Sequence, residues 1–516
     1  MSKSFYITTP IYYVNDKPHL GHAYTSIACD ALARYLRLDG YDVKFVTGTD
    51  EHGQKVEKSA DKAGVPPQAF VDEVAEHFRE LTEVLELTND DFIRTTEERH
   101  TKAAQALWEK LKANDDIYLG SYAGWYSVRD EAFYAESELI DGKAPTGAEV
   151  EWVEEPSYFF RLSKYQDQLI AFYENNPDAI LPASRRNEVM SFVKGGLKDL
   201  SISRTTFSWG VPVPGDEDHI IYVWLDALTN YLAAIGYPDT ESESYKKYWP
   251  AMHMVGKDIL RFHTVYWPAF LMSAGLELPL RVFAHGWWTI EGEKMSKSLG
   301  NVVAPTHLVE KYGLDQTRYF LLREVPFGND GNFSRQALID RINSDLANNI
   351  GNLAQRTLSM IQKNCGGVVP TPHAEHLTKE DETLLDLVQV TRDVTSDEAR
   401  DAMLRCRFHE VLADILGMAS RANEYIDEQA PWKQKKENPP RMEATLYHLA
   451  EAIRCIAIML QPFVPHAATR LLDQLAVSPD ERQFKHLTTE FALKPGTPLP
   501  APEGVFPRFQ EQGEAA

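Results

Sequence analysis

Residues 4–52 read SFYITTPIYYVNDKPHLGHAYTSIACDALARYLRLDGYDVKFVTGTDEH. Ser4 to Thr8 has the make-up of a buried strand, and Val43 to Thr47 reads as a second one. Between them, Tyr24 to Leu38 places Ile27, Ala31, Tyr35 and Leu38 at helical spacing until Gly40 stops the run. Strand, helix, strand predicts a right-handed βαβ unit of a doubly wound parallel sheet, a Rossmann-like fold in which ligands sit beyond the carboxyl ends of the strands. Asp50 falls at such an end. The loop into the helix carries Pro18-His19-Leu20-Gly21-His22. A helix N-terminus offers a phosphate unpaired N–H groups and a partial positive charge, Gly21 lets a flat ligand approach the backbone, and His19 and His22 can donate to phosphate oxygens. On these residues alone, a helix cap accounts for the two histidines equally well.

Far along the chain, Lys294-Met295-Ser296-Lys297-Ser298-Leu299-Gly300-Asn301 supplies two ammonium groups among small polar residues. Alone this is a solvated loop. Taken with the histidine loop, it points to one nucleotide triphosphate held from two sides. The two motifs, in this order, resemble the two signatures of the class I aminoacyl-tRNA synthetases, the second without any substitution. Within the class, Ile11-Tyr12-Tyr13-Val14-Asn15, Tyr222-Val223-Trp224-Leu225-Asp226-Ala227 and Gly256-Lys257-Asp258-Ile259 are similar to the methionyl family. The resemblance runs from about Phe5 to Leu472.

The chain has 516 residues, 43% of them hydrophobic, enough for a large core in about three units. Its formal charge of −23 excludes a generally basic nucleic-acid binder, so any RNA contact must be local and shape-driven. Cys29, Cys365, Cys406 and Cys455 lie far apart with no Cys-x-x-Cys pair, which indicates neither a disulfide framework nor a cysteine zinc site. No apolar run is long enough to span a bilayer, and the expected compartment is the reducing cytoplasm.

From about Tyr118 to Ser203 the pattern changes to short β runs and turns rich in aromatics. The resemblance makes this the connective insertion between the two halves of the nucleotide-binding fold. Many methionyl enzymes carry zinc knuckles there, whereas this chain has Ser127-Val128-Arg129-Asp130, from which a tetrahedral zinc site cannot be assembled. A metal-free insertion held by its aromatics is expected. At under about a hundred residues it is too short for a separate editing domain. Enzymes for small branched side chains need such a second sieve because a methylene is worth only ~1–3 kcal/mol in a pocket, whereas a thioether can be selected by shape and sulfur–aromatic contact.

The second half of the sheet is expected to resume at Ile220. Trp224, Ala227, Leu228 and Tyr231 fall on one helical face, and Ile259, His263 and Trp267 on another, after a strand from Met252 to Val255. Ordinary core explains both stripes. The resemblance instead makes them, with Ile11 and Tyr13, the lining of a methionine pocket. It gives Asp50, otherwise a helix cap, the α-ammonium group, and gives Asp258 the ribose hydroxyls of adenosine. ATP, entering with Mg²⁺ and without zinc, is assigned to His19, Gly21, His22, Gly256, Asp258, His285, Gly286, Lys294, Met295, Ser296, Lys297 and Ser298. His19, His22, Lys294 and Lys297 are the catalytic candidates.

Residues 1–117 and 204–300 are thus expected to form the catalytic domain, 118–203 the connective insertion, and 301–334 a stem-contact region. Arg335 to Gln362, Asp381 to Asp397, Asp401 to Glu428 and Arg441 to Leu460 read as helices of an antiparallel bundle, residues 335–476. Asn352 and Arg356 lie one turn apart, and Pro431-Trp432 follows the third helix. On their own these are a surface pair and a half-buried tryptophan. In the family they match residues that read the CAU anticodon, by base stacking and edge hydrogen bonds. A proline-rich tail, 477–516, is expected to pack back along the bundle, with no dimerisation domain after it and a monomer as the result. The expected reaction is ATP-dependent attachment of methionine to its elongator and initiator tRNAs through methionyl-adenylate. A class I synthetase for another amino acid, such as cysteine, and a non-catalytic tRNA- or nucleotide-binding protein are the rivals.

Overall fold

The structure is a computed structural model that describes residues 3–14, 17–130, 132–134, 136–290, 292–294, 303–391 and 396–510. The chain divides into two compact units, Ser4–Cys29 with Val43–Gly286, and Met1–Lys3 with Asp30–Asp42 and Trp287–Ala516.

The first unit is built on seven strands: β1 (Ser4–Thr8), β2 (Tyr12–Tyr13), β3 (Asp42–Asp50), β4 (Asp91–Arg94), β5 (Ile180–Leu181), β6 (Met252–Gly256) and β7 (Arg281–His285). Their order is β2-β3-β1-β6-β7-β5, with β4 also on β3. The pairs β1–β6, β6–β7, β7–β5, β2–β3 and β3–β4 are all parallel. Tyr6, Ile7, Val46, Val255 and Ala284 are buried along this sheet, as a doubly wound architecture requires of strands covered on both faces. Helix α1 (Leu20–Leu38) starts one turn earlier than the apolar spacing indicates, because His22 and Ala23 N–H both donate to the His19 carbonyl. β3 likewise runs on to Asp50, held there by β2.

Two expectations are corrected. Asp216–Ile221 belongs not to the parallel sheet but to a separate three-stranded one with Ser203–Arg204 and Pro212–Val213, all antiparallel. The turn at Gly215, with φ of 77°, reverses the chain at once, whereas a parallel pairing needs a long crossover. Second, the span from Tyr118 to Ser203 is not only β structure. It holds a long antiparallel pair, Ile117–Ser127 with Glu151–Phe160, but also helices Gln166–Asn175 and Ala183–Lys194, between which β5 joins the parallel sheet. At Ser127-Val128-Arg129-Asp130 the loop closes on hydrogen bonds. Tyr134 and Thr146 hydroxyls donate to the Asp130 carboxylate, and Arg129 donates to Thr146. Trp125 and Trp152 meet edge to face nearby at 5.4 Å. Among the described residues no cluster of His, Cys, Asp and Glu could hold a metal ion, and no disulfide joins the four cysteines.

Further helices position the site: α2 (Val223–Ala233) and α3 (Trp267–Ala274). A π-helical turn, Phe262–Tyr266, leads into α3, so His263 and Trp267 do not follow plain α-helical spacing.

In the second unit, Trp288–Ile290 pairs antiparallel with Glu293–Lys294 and parallel with Gly331–Phe333. The helices α4 (Asn352–Asn364), α5 (Phe408–Gln429), α6 (Pro431–Glu437) and α7 (Pro439–Leu460) follow. Where one unbroken helix was expected from Arg335, a π-helical stretch, Ile342–Gly351, precedes α4. Helix α7 is buried for most of its length and forms the centre of the bundle. The tail bonds back to the segments on either side of α4: Val369 N–H donates to the Thr497 carbonyl, Leu499 N–H to the Gly367 carbonyl, and Phe509 N–H to the Asn343 side chain. No helix among the described residues is long and apolar enough to cross a membrane.

Candidate active site

At the start of α1 the local backbone decides which nitrogen of each histidine carries its proton. Gly21 N–H donates to His19 Nδ1 at 3.1 Å, and His19 N–H donates to His22 Nδ1 at 3.0 Å. Both Nδ1 atoms are therefore acceptors, which leaves Nε2–H of each ring as a donor directed away from the backbone. The rings stack at 3.8 Å, and His22 is braced edge-on by Tyr12 at 4.7 Å and Phe78 at 5.3 Å. Loss of solvent holds His22 well below the usual histidine range, with His19 a second cause in the same direction. It also lowers His19, where the Asp258 carboxylate works against it. Both imidazoles are thus neutral donors. A Cβ at Gly21 would stand 3.0 Å from His19 Cε1, so a side chain there would push that ring aside by a few tenths of an ångström.

The ends of β6 and β7 lie side by side, Gly256 in register with His285. A Cβ on Gly256 would stand 2.5 Å from Asp258 Oδ1, so glycine allows the exposed Asp258 to turn back over the strand end. His285 is buried, with Nε2 2.7 Å from Thr25 Oγ1, and Thr25 donates to the Gly21 carbonyl. The chain of contacts ties the end of β7 to the histidine loop. His285 is lowered by burial, against which the Asp258 charge again acts. Gly286 follows it, also buried.

The same unit holds an aromatic cluster. Tyr13 pairs with Asp50, which is buried at the end of β3. Ile11, Tyr13, Trp224 and Ile259 are half-buried against one core that contains Leu228, Tyr231 and Trp267, with Ala227 buried in the same helix. His263 Nδ1 lies 3.0 Å from the Ile259 carbonyl, which can only accept, so Nε2 accepts from the Tyr231 hydroxyl at 2.7 Å. Burial pushes His263 down to about 4. Asp50 is thus a buried carboxylate beside a mainly aromatic cluster in which His263 is neutral, and Lys55 Nζ lies over the Tyr13 ring at 5.2 Å.

Two further residues touch this cluster and were not foreseen. Phe262 stacks flat on Trp224 at 3.6 Å, and His253 lies 4.1 Å from the Tyr231 ring with Nδ1 on Thr8 Oγ1 at 2.8 Å. His253 could have been noted as a polar residue in an otherwise apolar strand, but which face it took depended on the register of β6 against β1. Arg204 was also missed. It is buried, donates to Ser201 and to the Ser203 carbonyl, and lies over Tyr222 at 4.3 Å.

In the other unit, Lys294 ends the short strand paired with Trp288–Ile290, and Met295, Ser296, Lys297 and Ser298 lie outside the described residues. Arg356 of α4 bonds Asp427 Oδ1 at 2.5 Å, and its guanidinium sits 5.6 Å from the ring centre of Trp432, which is 45% exposed. Asn352 is exposed one turn before Arg356. Ala430, at φ of 43°, makes the sharp corner from α5 into α6 that presents Trp432.

A family profile described as tRNA synthetases class I (M) matches residues 5–151 and 136–358, and one described as the anticodon binding domain of methionyl tRNA ligase matches 371–516. The methionine–tRNA ligase of Mesorhizobium japonicum is 59% identical over 515 residues, 99% of this chain and 98% of that protein. That of Rickettsia felis is 57% identical over 512 residues, 99% of each. The Mycobacterium tuberculosis methionyl-tRNA synthetase in complex with methionyl-adenylate superposes with a TM-score of 0.94 at 52% identity, covering 98% of this chain and 100% of that one. Its apo form gives 0.88 at 49%, covering 99% of each. With the parallel sheet, the histidine loop at α1 and both profiles covering nearly the whole sequence, the chain belongs to the methionyl-tRNA synthetases of class I.

Proposed function

We propose that this chain attaches methionine to tRNA bearing the CAU anticodon, elongator and initiator alike, in two steps. The methionine carboxylate attacks the α-phosphorus of ATP in line, forming methionyl-adenylate and expelling pyrophosphate. The terminal adenosine hydroxyl of the tRNA then takes the acyl group and AMP leaves. Carboxylate is already a nucleophile and pyrophosphate already a leaving group, so the first step asks for positioning and charge stabilisation rather than a general base.

What supports this reading is that one unit holds both two neutral Nε2–H donors at a helix start and an aromatic cluster next to the buried Asp50. In it, His19 and His22 donate to phosphate oxygens at the helix N-terminus. Asp258, Gly256, His285 and Gly286 receive the adenosine, with Asp258 accepting from the ribose hydroxyls. Asp50 holds the ammonium group, and Ile11, Tyr13, Trp224, Ala227, Leu228, Tyr231, Ile259, His263 and Trp267 hold the thioether chain. Lys297, and secondarily Lys294, neutralise the pyrophosphate, and Mg²⁺ enters as the ATP complex. Asn352, Arg356 and Trp432 read the anticodon, the tryptophan by stacking. A cytoplasmic monomer belongs to the same proposal.

The test is amino-acid-dependent exchange of labelled pyrophosphate into ATP, without tRNA, across the standard amino acids. Exchange with methionine alone is expected. Exchange with another amino acid would overturn the pocket, and no exchange would overturn the enzyme.

A further inference from the structure

A second cluster of titratable groups lies behind the amino-acid pocket and takes no part in the roles given above. Asp226 of α2 is fully buried, and each of its carboxylate oxygens receives one histidine. His52 Nδ1 is 2.6 Å from Oδ2, and His100 Nε2 is 2.6 Å from Oδ1. A carboxylate accepts only, so both rings donate. Burial works to raise the Asp226 carboxyl, but the two histidines overcome it and hold it at about 2.

What the clamp joins is informative. His52 stands two residues beyond Asp50, in a segment pinned by Trp209: its indole N–H donates to the Glu51 carbonyl at 2.6 Å and its ring meets His52 at 5.6 Å. His100 comes from the helix Glu98–Ala113. Asp226 sits in α2 between Trp224 and Ala227, five residues before Tyr231. We propose that Asp226, clamped by His52 and His100, is a positioning residue for amino-acid binding: it fixes the distance between the strand end carrying Asp50 and the helix carrying Trp224, Ala227 and Tyr231. This rests on the reading of those residues as the methionine site. A buried carboxylate held by two N–H donors is costly to disturb and defines one geometry, and a displacement of about 1 Å at a binding site costs up to about a hundredfold in rate. The clamp's bonds join His52, His100 and Asp226, none of which is given a role toward ATP, so ATP binding should be spared.

The experiment measures KM for methionine and for ATP separately in pyrophosphate exchange. Asp226→Asn can accept from only one histidine, and KM for methionine is expected to rise about tenfold or more with KM for ATP within about twofold. His52→Ala should act in the same direction, and it covers the case in which Asp226→Asn does not fold. His52→Asn, whose amide N–H falls near the place of Nδ1–H, should recover most of the loss. Equal rises in both KM values, no rise in either, or failure of His52→Asn to recover would overturn the clamp. Asp50→Asn is run alongside. If it leaves KM for methionine unchanged, the site reading itself is wrong; if it raises that KM while Asp226→Asn and His52→Ala do not, only the clamp is wrong.

Discussion

His19 and His22 show how a side chain can be made a specific donor by its own backbone. A free histidine has two tautomers, and here the N–H groups of Gly21 and His19 occupy Nδ1 of the two rings and leave one. Since Gly21 makes room for the His19 ring, Gly21→Ala should displace that ring and slow adenylate formation by about ten- to a hundredfold. The thermal midpoint should change little, because the displaced group is at the surface. Single-turnover adenylate formation together with a melting curve checks this, and an unchanged rate would remove His19 from the chemistry. The same logic of one proton per site holds at His263, where the Ile259 carbonyl takes Nδ1–H and the Tyr231 hydroxyl supplies Nε2.

At the scale of elements, the corner between α5 and α6 carries the argument. Ala430 holds a left-handed backbone that costs a non-glycine residue roughly 1–2 kcal/mol, and the surrounding structure maintains it. Arg441 of α7 donates to the side chain of Gln429, the residue before the corner, and to both oxygens of the buried Asp381, which also accepts from the Tyr425 hydroxyl of α5. Helices α5 and α7 are thus tied to one buried carboxylate, and through Arg441 to the residue before the corner. Ala430→Gly should relieve the strain and gain about 0.5–1 kcal/mol in stability while freeing the corner. The KM for tRNA should then rise by about three- to tenfold, the equivalent of roughly 1 kcal/mol, with pyrophosphate exchange untouched. A stabilised variant with unaltered tRNA KM would show that the corner does not serve recognition.

For the molecule as a whole, buried histidines set the response to acid. Burial lowers His22, His253, His263 and His285 below their ordinary value, His263 to about 4. Between pH 6.5 and 4 the unfolded chain binds a proton at His263 that the native one does not, so stability is full above pH 6.5 and falls as pH drops toward 4, by about 3 kcal/mol for this group. Asp226, held at about 2, adds stability that is present above the ordinary carboxylate value and is lost only as pH falls further toward 2. The melting temperature should therefore fall by at least about 5 °C between pH 7.5 and pH 5, well before carboxylate titration. A flat profile across that range would mean the four rings are not kept neutral by the fold.

What the sequence determined by itself is local in origin. Residues 4–50 carried their strands and helix in periodicity, and the spacing of Trp224, Ala227, Leu228 and Tyr231 placed them on one helix. Asn352 and Arg356, one turn apart, fell on one helix for the same reason. The tertiary structure decided the rest. That Asp216–Ile221 leaves the parallel sheet follows from a turn at Gly215 that competes with a distant pairing. That His253 faces Tyr231 follows from the register of β6 on β1, and that Asp226 meets His52 and His100 follows from packing across 174 and 126 residues of chain. Backbone spacing is encoded over a few residues and can be read along the chain. A buried carboxylate between two histidines exists only once three separate elements have packed, because it is their common burial that makes the pairing favourable.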